Sequence, residues 1–300
     1  LGTGRTAVSV NVGSSHTCAI LDNSSLKCWG QNTYGQLGIG STTQQSIPTT
    51  VSFATNQIPK YVSTGASYAT CVIFEDSRVM CMGRLGYWFT GGSFYSNLKT
   101  PGYLSRNVEL GTDEVSSGNY HTCSVSINGL LQCWGWNSEG QLGIGSTANQ
   151  ETPQIVNLGT GRTAVSVGTG YSHTCAVLDD GSLKCWGANS GGQLGIGSST
   201  QHNTPQTVNL GTGRTAVLVS ANMHNTCAIL DDGTLKCWGS GYSGQLGIGT
   251  STNHNTPQTV NLGTGRTAVS VNVGSSHTCA ILDNSSLKCW GQNTYGQLGI

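Results

Sequence analysis

The sequence predicts an all-β protein assembled from tandem four-stranded units, and three observations support this. Twelve cysteines fall into six pairs with nine residues between partners: 18/28, 71/81, 123/133, 175/185, 227/237 and 279/289. Successive pairs are offset by 53, 52, 52, 52 and 52 residues, a period that marks a repeat architecture. No segment carries apolar residues at helical spacing, whereas short apolar runs bounded by Gly, Asn, Asp and Ser recur throughout.

Within one unit the strands read in order as Thr163–Val167, His173–Leu178, Ser182–Gly187 and Thr204–Leu210. The second and third belong to the stretch His173 to Gly197, HTCAVLDDGSLKCWGANSGGQLGIG, of which most of the chain is copies. Asp179-Asp180-Gly181 between them is a three-residue hairpin loop ending in a glycine able to take positive φ. Such a loop closes on a hydrogen-bonded pair, so Cys175 falls opposite Cys185 at a non-hydrogen-bonded pair. Side chains are closest there, and a cross-strand disulfide fits. A glycine-punctuated loop, Gly191 to Gly197, follows. The last run contains Pro205, with Pro153 and Pro257 in its copies, which suits the start or edge of a sheet where a missing N–H does no harm.

The repeats divide the chain into one array, 1–300, with units 1–52, 53–105, 106–157, 158–209, 210–261 and a partial sixth, 262–300. Unit 53–105 diverges most. It has Met82 where the others have Trp, and its glycine loop is replaced by a segment rich in Tyr87, Trp88, Phe89, Phe94, Tyr95 and Tyr103. Aromatic enrichment in one unit marks a candidate partner contact, against the plainer reading of a locally rebuilt unit packing its own loop. Residues 262–300 are identical to 1–39 at all thirty-nine positions. That identity points to a longer period, or to a window of a longer near-periodic polymer.

Thirteen basic and thirteen acidic residues cancel, and charged residues make up only 9% of the chain, against roughly 25% in an ordinary domain. No basic stripe exists to neutralise phosphates, so nucleic acid is not an expected partner. No apolar run is long enough to span a membrane. Six cysteine pairs at hairpin spacing read as disulfides made in an oxidising compartment, placing the protein outside the cell or on its surface. Zinc is the weaker reading: each pair has a histidine nearby (His16, His121, His173, His277), but a fourth ligand is missing, and units five and two hold Asn225 and Ala69 instead. No metal or cofactor is expected.

Asn23-Ser24-Ser25 and Asn284-Ser285-Ser286 are N-glycosylation sequons at hairpin tips. The polar tracts Ser41–Ser46, Ser198–Thr204 and Thr250–Thr256 are candidate O-glycosylation segments, or simply solvated linkers. The glycine loop is no phosphate cradle, since strands flank it and no Lys follows Gly197. Ser172, His173 and Asp179 lie near one hairpin, but the aspartate sits in its turn, well along the strand from the histidine, so no triad is expected. Trp29, Trp134, Trp186, Trp238 and Trp290 recur once per unit, which argues for packing between units.

The pattern HTC-(A/S)-(I/V)-L…G-x-L-K-C-W-G…GQLGIG followed by TPQ-(T/I)-V resembles the repeat of the regulator of chromosome condensation family, over nearly all of the chain and in five of six units. Tryptophan–aspartate and kelch repeats match less well, the first because Trp186 is followed by Gly187 and the second for want of a Gly-Gly doublet in a strand. The resemblance implies β-propeller blades of four strands. Six blades in a closed ring, part of a larger ring, and an open superhelical stack all accommodate the units present. The family's founding member exchanges nucleotide on a small GTPase and binds chromatin. A neutral chain with paired cysteines departs from that role, and no active-site residue carries over. The expected function is a non-enzymatic secreted structural protein of an extracellular filament, appendage or coat, associating with copies of itself. A secreted protein-binding propeller, inhibitor- or adhesin-like, is the alternative, and a nucleotide exchange factor is a remote third.

Overall fold

The structure is a computed structural model, and it describes residues 4–13, 15–53, 57–64, 68–76, 78–85, 96–103, 112–294 and 298. Tyr87, Trp88, Phe89, Phe94 and Tyr95 lie outside the described residues.

Six antiparallel sheets follow one another along the chain, each a propeller blade. Blade one comprises β1 (Ala7–Val12), β2 (His16–Leu21), β3 (Leu26–Gly30) and β4 (Gln45–Thr50). Blade two comprises β5 (Pro59–Thr64), β6 (Ala69–Phe74), β7 (Val79–Leu85) and β8 (Ser96–Tyr103), and Tyr103 stands opposite Met80 in its outer pair. Blade three holds β9 (Thr112–Ser117), β10 (His121–Ser126), β11 (Leu131–Gly135) and β12 (Gln150–Ile155). Blade four holds β13 (Ala164–Thr169), β14 (His173–Leu178), β15 (Leu183–Gly187) and β16 (His202–Thr207). In blade five these are β17 (Ala216–Asn222), β18 (Asn225–Leu230), β19 (Leu235–Gly239) and β20 (His254–Thr259). Blade six has β21 (Ala268–Val273), β22 (His277–Leu282) and β23 (Leu287–Gly291). Strand order within every blade is sequential, and no helix occurs among the described residues.

The chain divides into two compact units, one of residues 1–136 and 149–155, the other of residues 137–148 and 156–300. In the first, Ile20, Leu26 and Leu37 of blade one pack with Val62, Phe74 and Met82 of blade two. In the second, Val177, Leu183 and Leu194 of blade four pack with Val219, Leu230 and Trp238 of blade five, and Ile229 and Leu235 of blade five pack with Val271 and Leu282 of blade six. Within each unit these blades bury one face against a neighbour, as a stacked repeat must, because no single twisted sheet encloses a core of its own.

Two strand boundaries differ from the sequence reading for physical reasons. The fourth strand of blade four is His202–Thr207, not Thr204–Leu210. Val208 and Leu210 are apolar because they turn out of the ladder into the interblade core, where both are buried. The first strand runs Ala164–Thr169 and pairs as far as Thr174, with a bulge between Ala164 and Ser166. Pro205 lies within β16, the edge of its sheet, in the stretch where register shifts between Cys185 and Gly187, so its missing donor breaks no regular ladder rung.

Candidate functional site

The repeated element is the hairpin of β14 and β15, the glycine loop after it, and the blade that the loop covers. Leu178 N–H donates to Ser182 O at 2.9 Å and Gly181 N–H to Leu178 O at 2.9 Å, closing the three-residue loop. Gly181 has φ 73°, the positive value such a loop needs at its third residue. Asp180 Oδ1 accepts from Ser182 N–H and Oγ–H at 3.0 and 2.6 Å, an Asx turn that orders the tip and holds the Asp180 carboxyl below its ordinary range.

Cys175 stands opposite Cys185 with Cα atoms 4.1 Å apart, the close spacing of a non-hydrogen-bonded pair, and the two form a disulfide. The same bridge joins Cys18–Cys28, Cys71–Cys81, Cys123–Cys133, Cys227–Cys237 and Cys279–Cys289, and no cysteine is free.

Beyond the hairpin, Asn189 sets the loop. Its Nδ2 donates to Ser198 O and Thr200 O at 2.9 Å each, and its Oδ1 accepts from Leu194 N–H at 3.0 Å. The loop then presents Gln193 O to blade five, where it accepts from both Thr226 Oγ1 and Trp238 Nε1 at 2.9 Å. Gln141 O does the same for Thr174 and Trp186, and Gln245 O for Thr278 and Trp290. His173 completes the contact from its own blade, with Nε2 2.9 Å from Thr226 Oγ1. Trp186, Trp238 and Trp290 are therefore interblade anchors, each with its one polar atom satisfied.

This geometry separates the residues that a hydrolase would bring together. His173 is fully buried against Thr226, while Asp179 lies on the surface with its carboxylate 3.2 Å from Arg162 Nη1 and accepting from Thr163 N–H. Ser172, His173 and Asp179 do not assemble a triad. Among the described residues, no three His, Cys, Asp or Glu side chains gather to hold a metal.

The scarce charges form a second repeated clasp that sequence reasoning missed. Arg162 pairs with Asp179 and Asp180, Arg214 with Asp231 and Asp232, and Arg266 with Asp283. Lys184, Lys236 and Lys288 each donate to the carbonyl of a leucine twenty-six residues earlier. Recurrence of Gly-Arg-Thr and Leu-Asp in every such unit was the available signal.

At the sequons, Asn23 is exposed and its Oδ1 accepts from Ser25 N–H and Oγ–H at 3.2 and 2.7 Å. Asn284 makes the same turn with Ser286 at 3.1 and 2.7 Å. Ser24 and Ser285 hold φ 61° and 64° where Gly181 stands in unit four.

A profile of the RCC1-like domain matches residues 2–280, and the regulator of chromosome condensation (RCC1) repeat matches 268–297. The chain belongs to the RCC1-like family. Among RCC1-like relatives, it is 29% identical over 296 residues to the ultraviolet-B receptor UVR8 of Arabidopsis thaliana, covering 99% of this chain and 67% of that one. Human WBSCR16 superposes with a TM-score of 0.84 at 22% identity, over 100% of this chain and 80% of that one. Yeast RCC1 (Prp20), solved bound to Kap60, superposes with a TM-score of 0.79 at 21% identity, over 96% of this chain and 70% of that one. RCC1-like propellers act in protein binding or regulation, and the two structural likenesses establish the fold.

Proposed function

We propose that this chain is a non-enzymatic, secreted repeat scaffold that acts by binding protein, and that builds an extracellular filament, appendage or coat. The observation that carries the reading is the set of six hairpin disulfides with no cysteine left over. Disulfides persist in oxidising compartments and are rare where thiols are kept reduced. In blade four His173, Trp186 and Arg162 are spent on holding a neighbouring element or the blade's own hairpin. With these side chains occupied in structure, the reading assigns the blades surface recognition as their task. Yeast RCC1 is solved bound to Kap60, which supports protein recognition by this kind of blade array.

A discrete secreted binder, inhibitor- or adhesin-like, is the second reading. It is favoured by the single divergent unit, 53–105, with its aromatic-rich segment. Nucleotide exchange is disfavoured by a formal net charge of +0.

The test is to make the protein by an oxidising secretory route, weigh it intact before and after reduction, and image it. Loss of two hydrogens per bridge in the native mass, with extended assemblies in the images, is the expected result. Free thiols in native material overturn the secreted reading. Disulfide-bonded particles that stay discrete and small replace the structural role with the discrete binder.

A further inference from the structure

Two places in the sequence match Asn-X-Ser/Thr with X other than proline, Asn23-Ser24-Ser25 and Asn284-Ser285-Ser286. The same hairpin tip reads Asp180-Gly181-Ser182 in blade four and Asp232-Gly233-Thr234 in blade five. All of these tips carry the hydroxyl residue, so the change that makes a sequon is aspartate to asparagine.

Asn23 and Asn284 are exposed, and each holds its turn through Oδ1, which accepts from the N–H and Oγ–H of Ser25 or Ser286. Neither Nδ2 donates a hydrogen bond among the described residues. The exposure belongs to the tip itself. Asp180 and Asp232 stand at the same position in blades four and five, each with a blade before and after it in sequence, and their side chains are 41% and 39% exposed. What differs is charge. Arg162 pairs with both Asp179 and Asp180, and Arg214 with both Asp231 and Asp232. Arg266 pairs with Asp283, and the neutral amide of Asn284 stays outside the clasp.

We propose that Asn23 and Asn284 each carry an N-linked oligosaccharide, and that the hairpin tip is where the blade accommodates it. Nδ2 forms a bond to C1 of an oligosaccharide supplied on a lipid diphosphate. The C1–O bond to the diphosphate breaks, the diphosphate leaves with the electron pair, and Nδ2 gives up one proton. Because the turn is held through Oδ1, substitution at Nδ2 breaks none of its hydrogen bonds. Ser24 and Ser285, at φ 61° and 64°, keep the loop shape that Gly181 has at 73°. A bulky, solvated chain at the tip keeps that end of its blade from close packing, which leaves protein contact to other surfaces. The proposal rests on the secreted reading, since the oligosaccharide donor is met on the secretory route.

The experiment is to secrete the full chain from a eukaryotic host and weigh it intact, before and after peptide N-glycosidase, with its thiols counted in the same samples. Residues 6–27 and 267–288 are one and the same peptide, so variants and not peptide mapping tell the two sites apart. Wild type is expected to lose two oligosaccharides, Asn23→Gln and Asn284→Gln one each, and the double variant none. Asp180→Asn is expected to gain a third, because Ser182 already stands where Ser25 does. All these positions are exposed, so the variants should fold, which thermal unfolding checks. Ser25→Ala and Ser286→Ala serve in place of a glutamine variant that fails to fold, and Asp232→Asn, beside Thr234, in place of Asp180→Asn. A wild-type mass unchanged by the glycosidase overturns the proposal. With six disulfides intact, that failure is the proposal's alone, whereas free thiols would show the secreted reading failing with it. A folded Asp180→Asn or Asp232→Asn that gains no oligosaccharide overturns the assignment to the tip.

Discussion

Gly195 lies directly against the indole of Trp238: a Cβ at residue 195 would come within 2.6 Å of Nε1. The same approach joins Gly143 to Trp186 and Gly247 to Trp290, at 2.5 Å in each case. Two constraints coincide at residue 195, a positive φ of 71° and a tryptophan where a side chain would go. Gly195→Ala should therefore destabilise by the left-handed backbone cost of about 1 kcal/mol plus an overpacking cost of about 1–3 kcal/mol. Gly161, with φ 68° and nothing within 4 Å, is the control. Gly161→Ala should show the backbone cost alone in urea unfolding, and equal losses at the two sites would refute the packing argument.

Cys175 and Cys185 close a loop with a sequence separation of 10. Chain-entropy reasoning assigns such a bridge about 3 kcal/mol. Replacing both with alanine, which leaves no buried hydroxyl, should lower stability by about that amount plus a packing loss of about 1 kcal/mol. The pair Cys279 and Cys289 has the same separation but is only half-buried. Its double alanine variant should lose the entropic part and little more. A larger loss in blade six than in blade four, read from denaturant midpoints, would contradict this division.

How much of this was legible beforehand depends on the distance over which residues signal to one another. The hairpin was readable because its evidence is local: Asp179-Asp180-Gly181 dictates the loop, and the loop dictates that Cys175 faces Cys185. The interblade role of the tryptophans was readable from recurrence alone. The ring-to-carbonyl bond from Trp238 to Gln193, forty-five residues apart, was not, because a backbone acceptor leaves no mark on side-chain identity. The Arg162 clasp on Asp179 spans seventeen residues and was missed for a related reason: nothing local to either residue marks the other as its partner. Val208 and Leu210 misled because a strand leaving its ladder for the core stays apolar.

Ser24 stands at φ 61° in a loop whose counterpart in blade four uses Gly181 at φ 73°. The hydrogen bonds at the tip are otherwise alike, since Asn23 Oδ1 receives Ser25 as Asp180 Oδ1 receives Ser182. Ser24→Gly should therefore stabilise by about 1 kcal/mol, the cost of a β-carbon in the left-handed region. The turn geometry and the sequon both survive the change, so a thermal midpoint that fails to rise would mean that the serine is supported by contacts outside the turn.

His16 supplies the pH dependence. It is buried, with Nε2 2.8 Å from Thr70 Oγ1, and desolvation lowers its pKa to about 4 from an ordinary 6.5. A base with a depressed folded pKa binds fewer protons folded than unfolded between those two values. Stability is then complete above about pH 6.5 and falls as pH drops toward about 4, by on the order of 3 kcal/mol in all. The position tolerates a neutral residue, since blade five carries a buried Asn225 there. His16→Asn should flatten the stability profile between pH 6.5 and 4 relative to wild type, whatever it does to stability at pH 7. Urea unfolding across that range is the measurement, and a variant whose slope equals that of wild type would assign the acid sensitivity to other groups.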